Sequence, residues 1–310
     1  MNCAPIALFV YNRADHFTQT YNALAKCALA SQSELFIFSD GPKNEQAVAA
    51  VNEVRLAAEN AAKKGDFKNV TVIKSEYNKG LARSIIEGVT QILDRFGRII
   101  VLEDDCVASP HLLSFMNECL NFYEKDKSIG SIAGYTPSLD LDDYTHDIFL
   151  ANRSCSCCWA TWSDRWKNVD WDMKWMKDIF RNYRLVKALN SNGNDRFMRL
   201  YRQYKSNSQS WSIRFGTHLV LNNYKVVYPK YSYIKNIGGD ESGVHSTSSD
   251  AKSLEADLSK AIAAPKIERL TLDNNIQKKL YRFYSGGLLS STKRGLATAL
   301  IIAKERIKNR

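Results

Sequence analysis

Three carboxylates in a row, Glu103-Asp104-Asp105, follow directly on the apolar run 99–102. That run is short and β-branched, which suits a strand buried on both faces. The carboxylates therefore emerge at a strand's carboxyl end, where open α/β sheets place their ligand crevices. Adjacent carboxylates repel one another, and a divalent cation is the usual way to stabilise them. Magnesium or manganese held by one or two carboxylates, with phosphate oxygens and water in the remaining positions, is the arrangement expected for a nucleotide substrate. The plainer reading is a solvated acidic turn before a helix opened by Ser109 or Pro110.

The elements that must position this triplet are legible upstream. Strand-like segments at 6–11, 35–39, 70–74 and 99–102 alternate with helix-like segments at 15–30, 45–64 and 81–96. This predicts an α/β fold with a doubly wound, mostly parallel sheet. No Gly-x-Gly-x-x-Gly follows the first strand and no Gly-x-x-x-x-Gly-Lys-Ser/Thr occurs, which argues against a dinucleotide fold and a P-loop. The polar stretch 137–143 suggests a boundary between a nucleotide half, 1–137, and an acceptor half, 138–277.

The chain has 310 residues, of which 45% are apolar, enough to bury a full core. No apolar run approaches the length of a membrane span. The amino terminus lacks a basic region, so no signal peptide is expected, and the expected location is cytoplasmic. Among seven cysteines only Cys155, Cys157 and Cys158 cluster, and no second Cys/His pair lies at zinc spacing. Reduced thiols are the expectation.

The net charge of +10 is uneven. Residues 278–310 hold nine basic side chains against the single acid Glu305, so the tail carries +8 and the remainder about +2. Leu289, Leu296, Leu300 and Ile307 fall near helical spacing within it. A basic amphipathic helix predicts peripheral binding to an anionic membrane surface. The alternative is a terminal helix docked on its own domain with a solvated basic face. A nearly neutral body argues against a nucleic-acid groove through the fold.

These motifs, in this order, resemble a GT-A glycosyltransferase over most of residues 5–245. Leu8-Phe9-Val10-Tyr11-Asn12-Arg13 is similar to the first strand of that fold, and Ser39-Asp40-Gly41 to the acidic turn whose aspartate contacts the base. Asn78-Lys79-Gly80-Leu81-Ala82 resembles its Asn-x-Gly loop, and Glu103-Asp104-Asp105 its Asp-x-Asp motif. The Glu-Asp-Asp form resembles family 13 N-acetylglucosaminyltransferases, and the second half resembles family 2-like bacterial polysaccharide enzymes. The resemblance implies Tyr11, Asn12, Arg13, Asp40, Asn78, Gly80, Arg83, Glu103 and Asp104 at the donor. Asp105 would take Mn2+ or Mg2+, with His245 completing the metal shell from a glycine-rich loop.

Asn194-Asp195 is similar to a Glu-Asp motif whose aspartate is the family's base, with Asn in place of the usual Glu. Asp195 would then take the proton of the acceptor hydroxyl in an inverting displacement. Asp170 and Asp172 are its rivals, and capping of the 195–206 helix is the structural alternative. Trp159, Trp162 and Trp166 are spaced for one helical face and suggest core packing. Sugar rings also stack on indoles, which makes Trp159 or Trp171 a candidate acceptor shelf. Ser210-Trp211-Ser212-Ile213-Arg214-Phe215 resembles Trp-x-x-Arg-aromatic segments, adding Trp211.

The expected function is a metal-dependent, inverting glycosyltransferase moving a sugar from a nucleotide sugar, a UDP-sugar foremost. Its acceptor would be a saccharide or lipid-linked molecule in bacterial surface-polysaccharide assembly, with the protein peripheral on the inner face of the membrane. A sugar-nucleotidyltransferase needs a glycine-rich loop after the first strand, and Asn12-Arg13-Ala14-Asp15 contains no glycine. A nucleic-acid-binding protein acting through the tail would show steeply salt-dependent affinity.

Overall fold

A computed structural model describes residues 3–206, 210–240 and 256–308. Its centre is an eight-stranded sheet in the order β3-β2-β1-β4-β8-β6-β9-β7. Strands β1 (Ile6–Val10), β2 (Glu34–Ser39), β3 (Asn69–Lys74) and β4 (Arg98–Glu103) pair in parallel. They are joined through α1 (Ala14–Ala25), α2 (Val48–Ala62) and α3 (Leu81–Phe96). Every residue of β1 is buried, as a strand covered on both faces requires. The alternation read from the sequence is therefore realised, and the carboxyl ends of β1, β2 and β4 share one edge.

A short strand β5 (Cys106–Ala108) leaves that edge immediately after the triplet. Helix α4 (Leu112–Tyr123) leads on to β6 (Ile129–Ala133), β7 (Ile148–Ala151) and β8 (Cys158–Trp162). β8 runs antiparallel between β4 and β6, so residues of the presumed acceptor half complete the middle of the sheet. A boundary at 137–143 thus falls in the loop between β6 and β7, within one sheet. β8 is fully buried, which a continuous apolar segment cannot announce as strand rather than helix. Trp159 and Trp162 therefore stand on opposite faces of a strand, and the helical spacing expected for Trp159, Trp162 and Trp166 is corrected.

A second apolar cluster gathers the remaining helices, α5 (Ser163–Trp166) apart. It is built from α6 (Met176–Arg181), α7 (Tyr183–Leu189), α8 (Arg196–Ser206) and α9 (Trp211–Leu221), through residues such as Phe180, Leu189, Phe197 and Ile213. β9 (Lys225–Pro229) then joins the main sheet between β6 and β7, and β10 (Ile234–Asn236) pairs antiparallel with β5.

The chain ends in α10 (Asn274–Ser285) and α11 (Leu288–Lys308). Ile276 and Leu280 of α10 are buried in the main core, so a division at 277 cuts through a structural helix. α11 packs on α6 and α8: Ile302 joins the second cluster, and Arg306 Nε donates to the Phe180 carbonyl at 2.7 Å. At about 100° per residue, Thr298, Ile302 and Glu305 define the docked face, with Leu289, Leu296, Leu300 and Ile307 roughly opposite. Those four are 80%, 64%, 71% and 74% exposed. The helix is docked on its own domain and also presents an unpartnered apolar stripe. Among the described residues no helix is long and apolar enough to cross a membrane.

Candidate active site

Asp40, directly after β2, organises the first pole of the site. Its Oδ1 accepts from the backbone N–H groups of Gly41 (2.9 Å) and Lys79 (2.8 Å). Its Oδ2 accepts from the Gly80 N–H (2.9 Å) and Asn78 Nδ2 (3.2 Å). A carboxylate has about four lone-pair sites, so all are filled from within the chain. Asn78 also donates to the Gly41 carbonyl at 2.8 Å. Gly80 at φ +74° opens α3 in a conformation that L side chains avoid. Asp40 and Asn78 thus lock the loop that closes this end of the crevice. Asp40 has no oxygen lone pair left for the base contact the resemblance implied. Tyr11 accepts from the Lys43 N–H at 3.1 Å, and Arg83 pairs with Glu87 on α3.

The acidic pole lies two strands away, roughly 10 Å along the sheet edge. Arg13, after β1, donates through NH2 to both Asp104 Oδ1 and Asp105 Oδ2, the latter at 3.0 Å. Burial disfavours the Arg13 cation, but Asp104 and then Asp105 raise its pKa above the usual value. Burial raises the Asp104 pKa against the pull of Arg13. Burial, with Asp105 and Asp104 beside it, pushes Glu103 well up. The three acids are thus stabilised by one cation, whose second amino group, NH1, is buried without a partner.

Asn236, which no motif marked, and Gly238, expected only as part of the glycine-rich loop before His245, complete this pole. Pairing of β10 with β5 sets Asn236 against Cys106, and Asn236 Nδ2 donates to Asp105 Oδ1 at 3.0 Å. Gly238 then passes so close that a Cβ there would stand 2.4 Å from Asp105 Oδ2. A distant antiparallel partner is the kind of signal that local periodicity lacks. His245 lies outside the described residues.

Asp195 lies at the start of α8. Arg153, from the segment between β7 and β8, grips it with NH1 on Oδ1 at 2.8 Å and NH2 on Oδ2 at 2.9 Å. Burial works against the Asp195 carboxylate, but the Arg153 hydrogen bonds and charge outweigh it and lower the pKa. The side chain does not cap α8; the Phe197 N–H is met instead by Asn190 Oδ1 at 3.0 Å. Asn194 ties the helix start to α11 by donating to the Ser291 carbonyl at 2.8 Å.

The rivals for the base do not reach this site. Asp170 spends its oxygens on the N–H groups of Asp172 (3.1 Å) and Lys174 (2.7 Å), closing a turn. The Asp172 side chain is 79% exposed and faces Lys174. Both are corrected to turn and surface residues. Trp159 is 0% exposed and Trp211 3%. Their rings stand 5.0 Å apart in a cluster with Trp166 and Phe215, so neither offers a face to a sugar. Trp171 is half-buried at the margin of that cluster, with Arg214 over its ring.

The site thus combines the Asp40-locked loop and the acidic pole at the carboxyl edge of the sheet with the Arg153–Asp195 pair at the start of α8. The sequence model of glycosyl transferase family 2 matches residues 6–208, and the chain belongs to that family. It is a glycosyltransferase of GT-A fold. The expected likeness to family 13 is not confirmed by this match.

Among solved structures, S. aureus TarS is similar at 12% identity and a TM-score of 0.42, over 74% of this chain and 36% of that one. The chain therefore spans little more than a third of the TarS chain. An active-site mutant of LgtC is similar at 11% identity and a TM-score of 0.38, over 72% of each chain. No curated protein matches the sequence.

Proposed function

We propose that the protein transfers a sugar, with inversion, from a nucleotide sugar of the UDP class to a saccharide or lipid-linked acceptor in surface-polysaccharide assembly. The observation that carries this reading is the convergence of Asp104 and Asp105 on Arg13 at the carboxyl edge of the sheet, two strands from the Asp40-locked loop. The base and ribose would lie along that edge, against Tyr11, Asn12, the loop 78–80 and Glu103, with the diphosphate at the acidic pole.

The donor set suits Mg2+ or Mn2+, because Asp105 presents hard carboxylate oxygens and Gly238 keeps the space beside Oδ2 free of a side chain. Asp105 would hold the ion, with Asp104 behind it. A bound divalent ion supplies charge neutralisation for the departing diphosphate. Arg13 would then leave Asp105 and remain with Asp104. Asp195 would accept the proton of the acceptor hydroxyl, each of its oxygens keeping a lone pair beyond the Arg153 clamp.

The exposed stripe of α11 supports peripheral attachment to an anionic bilayer on the cytoplasmic side. Lys293 and Lys304 lie within about 60° of that stripe, and each cation near an anionic surface contributes about 1 kcal/mol. Such attachment would hold the crevice near a lipid-linked acceptor. A panel of UDP-, GDP-, CMP- and dTDP-sugars, assayed for manganese-dependent hydrolysis, tests the reading. Hydrolysis of a UDP-sugar supports it; hydrolysis of none, with no thermal stabilisation by any donor, would remove it.

A further inference from the structure

Beside the acidic pole lies a cavity of about 170 Å³. One water needs only about 10–15 Å³ by this kind of measure, so the cavity admits a group of several heavy atoms. Three arginines line it: Arg153 from the segment before β8, and Arg196 and Arg199 one turn apart on α8. Ser154 and Ser156 add hydroxyls, and Tyr284 of α10 stacks on Arg153 with its ring centroid 3.5 Å from the guanidinium carbon. Asp195 answers Arg153 in full and stands 3.8 Å from Arg199.

Arg196 has no such partner. It is 3% exposed, and its Nε and NH2 are buried without a hydrogen bond. The fold makes room for it: a Cβ on Gly216 of α9 would stand 2.3 Å from its NH2. Burial, then the neighbouring Arg153, pulls its pKa down to about 9. Arg196 Nε and NH2 are closed off within the fold, NH2 against α9, so it is the rest of the guanidinium that lines the cavity, where an anion would supply the pairing a buried cation normally has. Guanidinium donors recognise carboxylate and phosphate through paired hydrogen bonds.

We propose that this cavity is an anion pocket in which Arg196, with Arg199, binds a carboxylate or phosphate group of the sugar acceptor. The assignment to the acceptor rests on the glycosyl-transfer reading. The cavity adjoins Asp195, the residue placed at the acceptor hydroxyl. It meets the donor side at Cys157, whose Sγ lies 3.9 Å from Asn236 Nδ2. The Asp40 loop, where the base of the donor would lie, contributes nothing to its wall.

The test is calorimetric titration of the full chain with inorganic phosphate, glucuronate and glucose, with and without UDP and Mn2+. Phosphate or glucuronate should bind and glucose should not, and the stronger of the two acids identifies the group. Arg196→Gln should weaken that binding at least about tenfold, the loss of one charge-assisted contact. Arg199→Gln alters a half-exposed side chain, tolerates substitution on that ground, and should weaken it in the same direction. Saturating UDP with Mn2+ should leave it unchanged.

Equal binding of glucose and the acids would overturn the pocket, as would wild-type affinity in Arg199→Gln. Displacement of phosphate by UDP would place the anion on the donor and overturn the acceptor assignment. UDP-sugar hydrolysis by the unaltered protein is measured in parallel. Its absence defeats the glycosyl-transfer reading and with it the acceptor assignment, whereas arginine-dependent anion binding reports on the pocket itself.

Discussion

Arg153 holds Asp195 through two parallel hydrogen bonds of 2.8 and 2.9 Å, a geometry that keeps the carboxylate charged and its plane fixed. The clamp orients the proposed base and lowers its basicity at the same time. Asp195→Asn should preserve donor binding and lower turnover by roughly 100-fold or more, the scale of a lost general base. Unchanged turnover, with only lowered stability, would make Asp195 a structural tie for Arg153.

The pH dependence follows from the same pair. The folded-state pKa of Asp195 is depressed, so the stability it contributes is present above the unfolded aspartate value and lost as pH falls through the folded one. The acid limb of turnover should accordingly lie below the ordinary aspartate range. Arg153→Lys, which cannot reproduce the paired geometry, should move that limb upward. A limb of the unaltered enzyme near neutrality would contradict the assignment.

Asp40 anchors its loop through four acceptor contacts, so its loss leaves several buried donors unmet. Asp40→Ala should cost about 1–3 kcal/mol of unfolding free energy, with donor affinity falling as the loop 78–80 loosens. Chemical denaturation and nucleotide titration measure the two effects separately. Wild-type stability in the variant would show that the loop holds itself.

The first half of the fold was legible because β1, β2 and β4, buried on both faces, read as short apolar runs alternating with longer helix-like segments. The acidic triplet was legible as a candidate site too, with a solvated acidic turn as its plainer reading. Asn236 and Gly238 were not, because they reach Asp105 only through pairing of β10 with β5, more than a hundred residues apart in sequence. The tryptophans were legible as core and misled only as an acceptor shelf. Trp159 lies on a strand whose both faces are covered, and its indole fills core where a shelf was expected. Arg153 and Arg196 went unnoticed because an isolated arginine in sequence gives no sign of what it will be buried against.

Gly238 offers a sharp steric test. Gly238→Ala places a methyl 2.4 Å from Asp105 Oδ2, so backbone or carboxylate must shift. Overpacking of this kind costs about 1–3 kcal/mol of stability, and the displaced carboxylate should weaken metal-dependent donor binding. Far-ultraviolet circular dichroism should be unchanged. Undiminished metal-dependent donor binding would show that the acidic pole tolerates displacement.

The α11 stripe can be altered without touching the core. Leu296 and Leu300 are both more than half exposed, so Leu296→Glu with Leu300→Glu should leave thermal stability within about 0.5 kcal/mol of the original. Sedimentation with anionic liposomes should be lost. This is a cleaner probe than truncation at residue 276, which would remove Leu280 from the core and Tyr284 from Arg153. Equal sedimentation of the altered and unaltered proteins would dismiss the membrane role.

The central claim is that Asp105, at the end of β4, binds the metal–diphosphate portion of a nucleotide-sugar donor. The most direct measurement is hydrolysis of UDP-sugars by the full chain and by Asp105→Ala, each with Mn2+ and again with excess chelator. The account predicts hydrolysis by the unaltered protein with Mn2+ alone, and loss of at least about 100-fold in the variant, comparable to removing a principal electrostatic stabiliser. Full activity of Asp105→Ala, or activity indifferent to the chelator, would contradict it.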